Sequence, residues 1–187
     1  MRSQSGSDLL AFLLLRWTGL RGSDVVNLTW GDVHLDRKEI ERITQKRRKK
    51  VILPIHSELL FALEIEHDQR NPGPNDTVLL NPATGQAMTR PRLYQRVQAL
   101  GRRAGVQRAH PHRFRDSLAV DLLIRGASPY DVAKMLGDTI ETVEKHYTPF
   151  VKELRERVRD FLETGIGLEE LAQKSAERLQ TAPKKPN

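Results

Sequence analysis

The sequence predicts an α+β fold that is mainly α-helical, with a small antiparallel three-stranded β-sheet. Most of the chain consists of segments that begin with a helix-capping residue and end near glycine, proline or asparagine, the usual helix boundaries. Residues 34–55 differ, because short runs rich in β-branched residues alternate there with charged turns, as in a strand meander. The length of 187 residues is sufficient for one domain with a buried core.

Two helices precede the predicted sheet. Ser7 and Asp8 can cap a helix over residues 9–18, and its apolar positions cover most of its circumference, which indicates a core helix. Ser23 can cap a second, short helix over residues 24–28. The predicted strands are residues 34–35, 39–44 and 50–55, joined by turns at 36–38 and 46–49.

The helices after the sheet are separated by clear chain breakers. Ser57 can cap the first of them, NPGPND ends it, and residues 77–80 form a short extended segment. Ser128 and Asp131 form a capping box, with Pro129 at the first helical position. The predicted helices are residues 58–69, 90–104, 114–125, 129–136, 153–163 and 168–179. A further predicted helix bears Tyr147 and is capped by Asp138 or Thr139.

The charge of the chain indicates a polyanionic partner. The formal net charge is +7, and the excess is clustered. Residues 46–50 read KRRKK, and residues 90–115 contain eight arginines and no acid. Such clusters are typical of nucleic-acid-binding surfaces, and a solvated basic surface is the ordinary alternative.

Several classes of protein are disfavoured by composition. The chain has no cysteine, which excludes a disulfide framework, a thiolate metal site and a cysteine nucleophile. The longest apolar run, residues 9–15, is too short to cross a bilayer and lacks the flanks of a signal peptide. We therefore expect a cytoplasmic, nucleoid-associated protein without a membrane partner.

Arg21 and Lys46 are two candidate ligands for a phosphate. Arg21 lies in TGLRGSD on a glycine-bounded link between helices, where its guanidinium can bind a phosphate in a bidentate manner. The alternative is a surface arginine paired with Asp24. Lys46 lies at the tip of the predicted hairpin and can extend its ammonium toward a leaving oxygen, whereas the alternative is a solvated basic turn.

His112, Arg115 and Tyr147 are the other candidates. The sequence HRFR opens a helix after proline, so His112 and Arg115 lie on one face near the positive helix N-terminus. The alternative for His112 is a residue that only helps to start the helix. Tyr147 follows the LGD sequence of residues 136–138 by nine residues. A single tyrosine is ordinarily a half-buried side chain with its hydroxyl bonded to backbone.

In this order and spacing, the motifs resemble the tyrosine recombinase, or phage integrase, family. The resemblance covers residues 9–163 and implies the catalytic-domain fold of that family. The two phosphate-binding arginines, the hairpin lysine, the histidine and the tyrosine nucleophile of the family fall on Arg21, Arg115, Lys46, His112 and Tyr147. Asp24 matches an acidic position that supports the first arginine.

The resemblance implies DNA strand cleavage and religation in site-specific recombination. The tyrosine oxygen attacks phosphorus and forms a 3′-phosphotyrosyl link, which conserves bond energy, so no cofactor is expected. A phenol with a pKa of about 10 needs a base, for which the resemblance suggests His112. The two arginines would bind the phosphorane, and Lys46 would protonate the leaving oxygen. No metal is expected, because the sequence has no carboxylate cluster.

Asp138 departs from the family, which usually has a histidine or tryptophan as hydrogen-bond donor at this sixth position. An ionised aspartate cannot donate a hydrogen bond and repels a phosphate. We therefore expect Asp138 to turn away and cap the Tyr147 helix, with Glu141 completing a capping box. The alternative is a protonated Asp138 that acts as the donor. Either way, a slower or more substrate-dependent enzyme is expected.

The resemblance also sets expectations for domains and partners. Residues 1–163 are expected to form the catalytic domain and residues 164–187 a helical and polar tail, with the N-terminal core-binding domain of the family absent. Double-stranded DNA is the expected partner, with a synaptic tetramer on DNA and a monomer when free. Further DNA contacts are expected from Arg47, Arg48, Lys49, Arg90, Arg92 and Arg113.

Two other functions remain open at this point. One is a DNA-binding module of the same fold that no longer cuts DNA, with Asp138 as the sign of lost activity. The other is a type IB topoisomerase, which shares the chemistry. The spacing of TGLR and HRFR and the small size of the chain favour a recombinase over a topoisomerase.

Overall fold

The computed structural model describes residues 3–46 and 48–147, with the side chains of residues 3–7 left out of the description. Most of these residues are helical, and a short 3₁₀ helix, Trp30–Asp32, precedes the sheet. The α-helices are α1 Ser3–Thr18, α2 Gly22–Val26, α3 Ser57–Arg70, α4 Arg90–Arg103, α5 Pro111–Ile124, α6 Pro129–Leu136 and α7 Ile140–His146. The predicted class, mainly helical with a small sheet, is confirmed.

Three antiparallel strands form the sheet in the order β1 Val33–His34, β2 Glu39–Ile43 and β3 Lys50–Pro54. Ile40 pairs with Leu53, and both side chains are fully buried. Because successive side chains of a strand point to opposite faces, this pair directs one face of the hairpin toward the core. The register is thereby specified, since a slip by one residue would expose the apolar set.

Helix α1 lies at the centre of the core. Its Leu14 and Leu15 have no exposed surface, and it contacts α2, α3, α4 and α5. Leu59 and Leu63 of α3 are also fully buried, at the four-residue spacing of one helix face. Burial of each such leucine contributes about 1.5–3 kcal/mol relative to an exposed side chain. Helix α1 is therefore the element against which these four helices pack.

The first two helices begin earlier than the sequence predicts. Helix α1 begins at Ser3, upstream of the proposed caps, so it is longer than the expected segment 9–18. Helix α2 begins at Gly22, and the predicted cap Ser23 is wrong because it lies inside the helix. The carbonyl of Arg21 accepts from the backbone N–H groups of Asp24 and Val25, which starts the helix without a side-chain cap.

Helices α3 and α5 also begin earlier. The cap of α3 is His56, whose Nδ1 accepts from the Glu58 N–H at 3.3 Å, and not the predicted Ser57. Helix α5 begins at Pro111, three residues before the predicted start. Proline suits the first helical turn because its φ is preset and its missing N–H is not needed there. His112 and Arg115 are consequently both inside α5.

The remaining elements agree with the prediction where they can be compared. Thr77 and Leu80, at the ends of the predicted extended segment, each form an isolated antiparallel bridge. The predicted helices 153–163 and 168–179 lie outside the described residues. Among the residues that are described, no helix is long and apolar enough to cross a membrane.

Candidate functional site

Arg115 is a buried cation that joins three parts of the fold. Its residue exposure is 1%. Its Nη1 donates to the Gly19 carbonyl at 2.8 Å, and its Nη2 donates to the Leu136 carbonyl at 2.8 Å. Nη2 also donates to Asp138 Oδ2 at 3.0 Å. The guanidinium therefore fixes the end of α1 and the end of α6 relative to α5.

Asp138 lies between Arg21 and Arg115, hereafter the arginine pair. Its Oδ2 is 3.1 Å from Arg21 Nη2 and 3.0 Å from Arg115 Nη2, and its side chain is 7% exposed. The expectation that Asp138 caps the Tyr147 helix is wrong, because Thr139 Oγ1 accepts from the Thr142 N–H and forms that cap. Two buried cations attract the carboxylate more strongly than a helix terminus does. Asp138 thus faces into the site.

Two N–H groups of the arginine pair remain available. Arg21 Nη1 and Arg115 Nε are buried and have no hydrogen-bond partner among the described residues. Buried polar groups are normally satisfied, so unpaired donors of this kind indicate a place for an acceptor. Burial lowers the pKa of the Arg115 guanidinium, repulsion by Arg21 adds to this, and attraction to Tyr147 and Asp138 opposes it. Arginine stays charged in such surroundings.

Two glycines allow the backbone to bring these groups together. Gly19 has φ +61°, and a Cβ there would lie 2.6 Å from Leu136 Cδ2. Gly137 has φ +62°, and a Cβ there would lie 3.0 Å from Val51 Cγ1 and 3.2 Å from Thr44 Cγ2. Only glycine combines positive φ with such close approach at low cost. The glycines of TGLR and LGD therefore place the arginine pair and Asp138 against the β2–β3 hairpin.

Asp24 anchors the hairpin loop and does not pair with Arg21. Its side chain is fully buried, and its Oδ1 accepts from the Gln45 N–H at 2.8 Å. The predicted support of the Arg21 side chain and the alternative surface ion pair are both wrong, because the Arg21 guanidinium binds Asp138. Lys46 follows Gln45 directly and lines the same cleft as Arg21. Asp24 therefore holds the loop from which Lys46 extends.

Tyr147 lies at the end of α7, with its hydroxyl directed at α5. The side chain is buried, and the hydroxyl donates to Asp116 Oδ1 at 3.1 Å. Burial raises the pKa of the Tyr147 phenol, and the negative charge of Asp116 raises it further, while Arg115 lowers it. The phenol is consequently protonated at neutral pH, as expected for a group with a pKa above about 10.

His112 lies one turn before Asp116 on α5 and shares its carboxylate. Its Nε2 is 3.5 Å from Asp116 Oδ1, and its side chain is 58% exposed. Burial lowers the pKa of His112 from its usual 6.5; Asp116 opposes this, whereas Arg115 and Arg21 add to it. The imidazole is therefore mainly neutral at pH 7 and able to accept a proton.

One surface cleft of about 810 Å³ brings the predicted residues together. Arg115 is buried beside it, hydrogen bonded to Asp138 in its wall. Within residues 3–46 and 48–147, no group of three or more histidines and acids is placed to hold a metal ion. The wall of the cleft includes Arg21, Lys46, His112, Asp116, Asp138 and Tyr147. The cleft thus combines a phenol hydroxyl, an imidazole, an ammonium group and fixed positive charge.

The basic residues predicted to contact DNA are distributed unevenly. Arg113 lines the cleft and donates to the Gln107 carbonyl at 2.8 Å. Arg90 lies with Lys46 and Arg21 in an adjoining hollow of about 500 Å³. Arg92 instead lines a separate concavity on α4. The adjoining hollow therefore extends the basic surface from the cleft toward the start of α4.

Arg48 and Lys49, two cations at the tip of the β2–β3 hairpin, differ in their contacts. Arg48 is exposed, and its backbone has φ +53°. The exposed Lys49 turns back, and its Nζ donates to the Asp138 carbonyl at 3.4 Å. Arg47 lies outside the described residues. Lys49, which was expected to contact DNA, therefore contacts the backbone of Asp138.

Asp116 is the functional residue that the sequence reasoning missed. It is the first acid after the arginine-rich segment, and it follows His112 by four residues, the spacing of one helix face. That spacing was a signal for the contact with His112. The contact with Tyr147 joins residues 31 positions apart and depends on how α7 packs.

Comparison with known proteins gives consistent results. The model of the phage integrase family matches residues 2–172. The tyrosine recombinase XerD of Yersinia pestis is 31% identical over 137 residues, which is 70% of this chain and 46% of that protein. The tyrosine recombinase XerC of Roseiflexus castenholzii is 32% identical over 141 residues, 72% of this chain and 45% of that protein. The chain spans less than half the length of these relatives.

Solved structures share the fold. The XerA recombinase has a TM-score of 0.67 at 22% identity, covering 87% of this chain and 64% of that one. The XerH site-specific recombinase bound to palindromic difH substrate has a TM-score of 0.71 at 22% identity, covering 87% and 48%. The family match over nearly the whole sequence and this common fold agree with the motifs and the cleft. The chain belongs to the phage integrase family of tyrosine recombinases.

Proposed function

We propose that this protein cleaves and rejoins DNA strands through a 3′-phosphotyrosyl intermediate in site-specific recombination. The main support is one geometric observation. Tyr147 lines the same cleft as Arg21, Lys46 and His112, although these residues are widely separated in the sequence. A nucleophile, a cation for the phosphate and a proton donor for the leaving oxygen are the groups that phosphoryl transfer to tyrosine requires.

Each group has a role in the proposed reaction. Arg21 and Arg115 bind the non-bridging oxygens of the phosphorane through Arg21 Nη1 and Arg115 Nε, the two buried N–H groups that have no partner among the described residues. Lys46 protonates the leaving 5′-oxygen. The acceptor of the Tyr147 proton lies on the α5 face that bears His112 and Asp116. The bond energy is conserved in the tyrosine ester, so no cofactor is needed.

Double-stranded DNA is the proposed partner. The basic residues along the cleft and the adjoining hollow support this proposal, because clustered cations bind the phosphate backbone. A neighbouring structure, the XerH recombinase, is bound to DNA. We propose that residues 1–163 act as the catalytic domain, with a tetramer on DNA, a monomer when free, and action at the nucleoid.

A second candidate function is a DNA-binding module that no longer cuts. Asp138 favours it, because its carboxylate occupies the space between Arg21 and Arg115, where a phosphate oxygen would otherwise bind. A phosphate must displace that carboxylate or bind beside it. Cleavage under this hypothesis is lost, whereas salt-dependent binding through the basic surface remains.

The test uses trapping of the covalent intermediate. A pool of DNA duplexes carries a nick inside a randomised core, so that cleavage next to the nick releases a short fragment and prevents religation. The expected result is a protein–DNA adduct that survives denaturation and proves to be joined through Tyr147. Tyr147→Phe abolishes the adduct, whereas Tyr130→Phe, at an exposed position on α6, leaves it unchanged.

The outcome separates the two candidates. Adduct formation that depends on Tyr147 supports the cleaving enzyme and reveals the preferred sequence when the trapped DNA is sequenced. If the pool is bound and retarded on a native gel, but wild type and Tyr147→Phe both yield no adduct, the protein is the non-cutting module.

A further inference from the structure

Within the described part of the chain, the Tyr147 hydroxyl donates its hydrogen bond to Asp116. The phenol donates to Asp116 Oδ1 at 3.1 Å, and the same oxygen lies 3.5 Å from His112 Nε2. Asp116 thus contacts both the proposed nucleophile, Tyr147 at the end of α7, and His112 on α5. The Asp116 side chain is 41% exposed, so it faces the cleft and is not enclosed in the core.

We propose that Asp116 is a catalytic residue that receives the Tyr147 proton and passes it to His112. This inference rests on the proposed cleavage function and deepens it, because it replaces direct proton transfer between Tyr147 and His112 with a relay through one carboxylate. The relay runs from Tyr147 Oη to Asp116 Oδ1 and on to His112 Nε2. The first transfer follows a hydrogen bond of the resting structure, and the second requires the 3.5 Å separation of Asp116 Oδ1 and His112 Nε2 to close to hydrogen-bond distance.

The chemistry explains why two groups are needed. Carboxylates are weak bases toward phenols, so a proton left on a carboxylate would be unfavourable. A neutral imidazole is ordinarily the stronger base of the two and holds the proton better. The final imidazolium then lies beside the regenerated carboxylate, which stabilises it.

The reaction balances without any further reagent. The bond from Tyr147 Oη to phosphorus forms while the bond from phosphorus to the 5′-oxygen breaks. The phenol proton ends on His112 Nε2, and the 5′-oxygen takes a proton from Lys46. Religation reverses every step. The resting His112 must then have Nε2 unprotonated and its proton on Nδ1.

The charged surroundings favour charge development at this place. Arg115 favours the phenolate form of Tyr147 and lowers its pKa. Burial, Arg115, Arg21 and His110 lower the pKa of His112, and Asp116 is the anion that offsets them. Replacement of Asp116 by asparagine keeps the shape and a hydrogen-bond acceptor but removes the carboxylate that can take up a proton and its offsetting charge.

The first experiment measures the contact without DNA. In a Tyr94→Phe, Tyr130→Phe background, Tyr147 is the remaining tyrosine, and its ionisation is followed by ultraviolet absorbance as the pH rises. Asp116→Asn is expected to lower the phenol midpoint. Asp121→Asn makes the same chemical change on the same helix, and its carboxylate pairs with Arg16. No change is expected in Asp121→Asn, and an unchanged midpoint in Asp116→Asn would overturn the inference.

The second experiment measures adduct formation on the trapping substrate in a double-mutant cycle. Asp116→Asn and His112→Asn are each expected to slow single-turnover cleavage about 10²-fold or more, the usual contribution of general base catalysis. The double variant is expected to be no slower than the singles, because a relay is lost as a unit. Additive losses, or an Asp116→Asn variant as fast as wild type, would overturn the relay.

Failure of the proposed function and failure of the relay alone give different results in the cleavage assay. If wild type forms no adduct, the cleavage function and the relay both fall, whatever the phenol titration shows. If wild type forms the adduct and Asp116→Asn forms it equally fast, only the relay falls. Asp121→Asn controls for the loss of one negative charge near the bound DNA and is expected to cut at the wild-type rate.

Discussion

The two sides of the cleft are each organised around one aspartate, and the two aspartates differ in their partners. On the arginine side, Asp138 is buried between two permanent cations, Arg21 and Arg115. On the tyrosine side, Asp116 is partly exposed between two groups that are neutral at pH 7, Tyr147 and His112. The first arrangement holds buried elements of the site together, whereas the second contains the path of the proposed proton relay. The role of a carboxylate is therefore set by the charge and burial of its partners.

This difference between the two aspartates predicts that the folding stability of the protein depends on the arginine side of the cleft. Arg115→Leu leaves the carbonyls of Gly19 and Leu136 without their donor and removes one of the two cations beside Asp138. We expect the free energy of unfolding to fall by about 3–5 kcal/mol, the usual cost of breaking a buried ion pair from one side. Urea denaturation followed by circular dichroism measures this as a lower midpoint.

Two matched variants make that prediction specific. Arg113→Leu, two residues earlier on α5, removes an exposed arginine with a single bond to the Gln107 carbonyl and is expected to cost less than about 1 kcal/mol. Asp116→Asn, on the tyrosine side, is expected to cost a similarly small amount. Equal losses in Arg115→Leu and Arg113→Leu would show that the arginine side has no special role in stability.

The arginine side should also bind anions more tightly once Asp138 loses its charge. In Asp138→Asn the internal competitor for Arg21 and Arg115 becomes neutral, and we expect the Kd for inorganic phosphate to fall about tenfold, equivalent to about 1.4 kcal/mol. Isothermal titration calorimetry measures the affinity. Asp131→Asn, at an exposed acid that caps α6, changes the net charge equally and should leave the affinity unchanged. If both variants bind phosphate like wild type, Asp138 does not compete with the anion.

The sequence was sufficient to predict the fold class and to predict that the main site residues lie close together. Both predictions depend on local patterns and family motifs. TGLR and LGD each contain a glycine whose positive φ and close contacts the fold requires. The role of Asp138 was mispredicted for a physical reason. The capping rule considers neighbours in sequence, whereas the partner Arg21 lies 117 positions away.

Other contacts had no local signal at all. Asp24 lies next to the TGLR motif, yet its hydrogen bond reaches the hairpin loop at Gln45. Lys49 was assigned to DNA because of its charge, and its ammonium donates to the Asp138 carbonyl. In each case the partner is determined by the packing of α6 and the hairpin around Gly137, which a single sequence does not specify. Long-range polar contacts are thus the part of the site that required the structure.

The smallest predicted effect tests the tyrosine side directly. Burial and the charges of Arg115, Arg21 and His110 lower the pKa of His112, and Asp116 opposes them. Asp116→Asn removes the opposing charge, so the midpoint of His112 protonation should move to still lower pH. We expect a small shift, because the histidine is more than half exposed and solvent screens the interaction. Imidazole NMR resonances recorded between pH 4 and about 8 report this midpoint.

Asp121→Asn should leave the His112 midpoint unchanged, since Asp121 pairs with Arg16. A His112 midpoint that rises or stays constant in Asp116→Asn would mean that the two side chains do not interact in solution. The tyrosine side would then lack the carboxylate on which its difference from the arginine side depends.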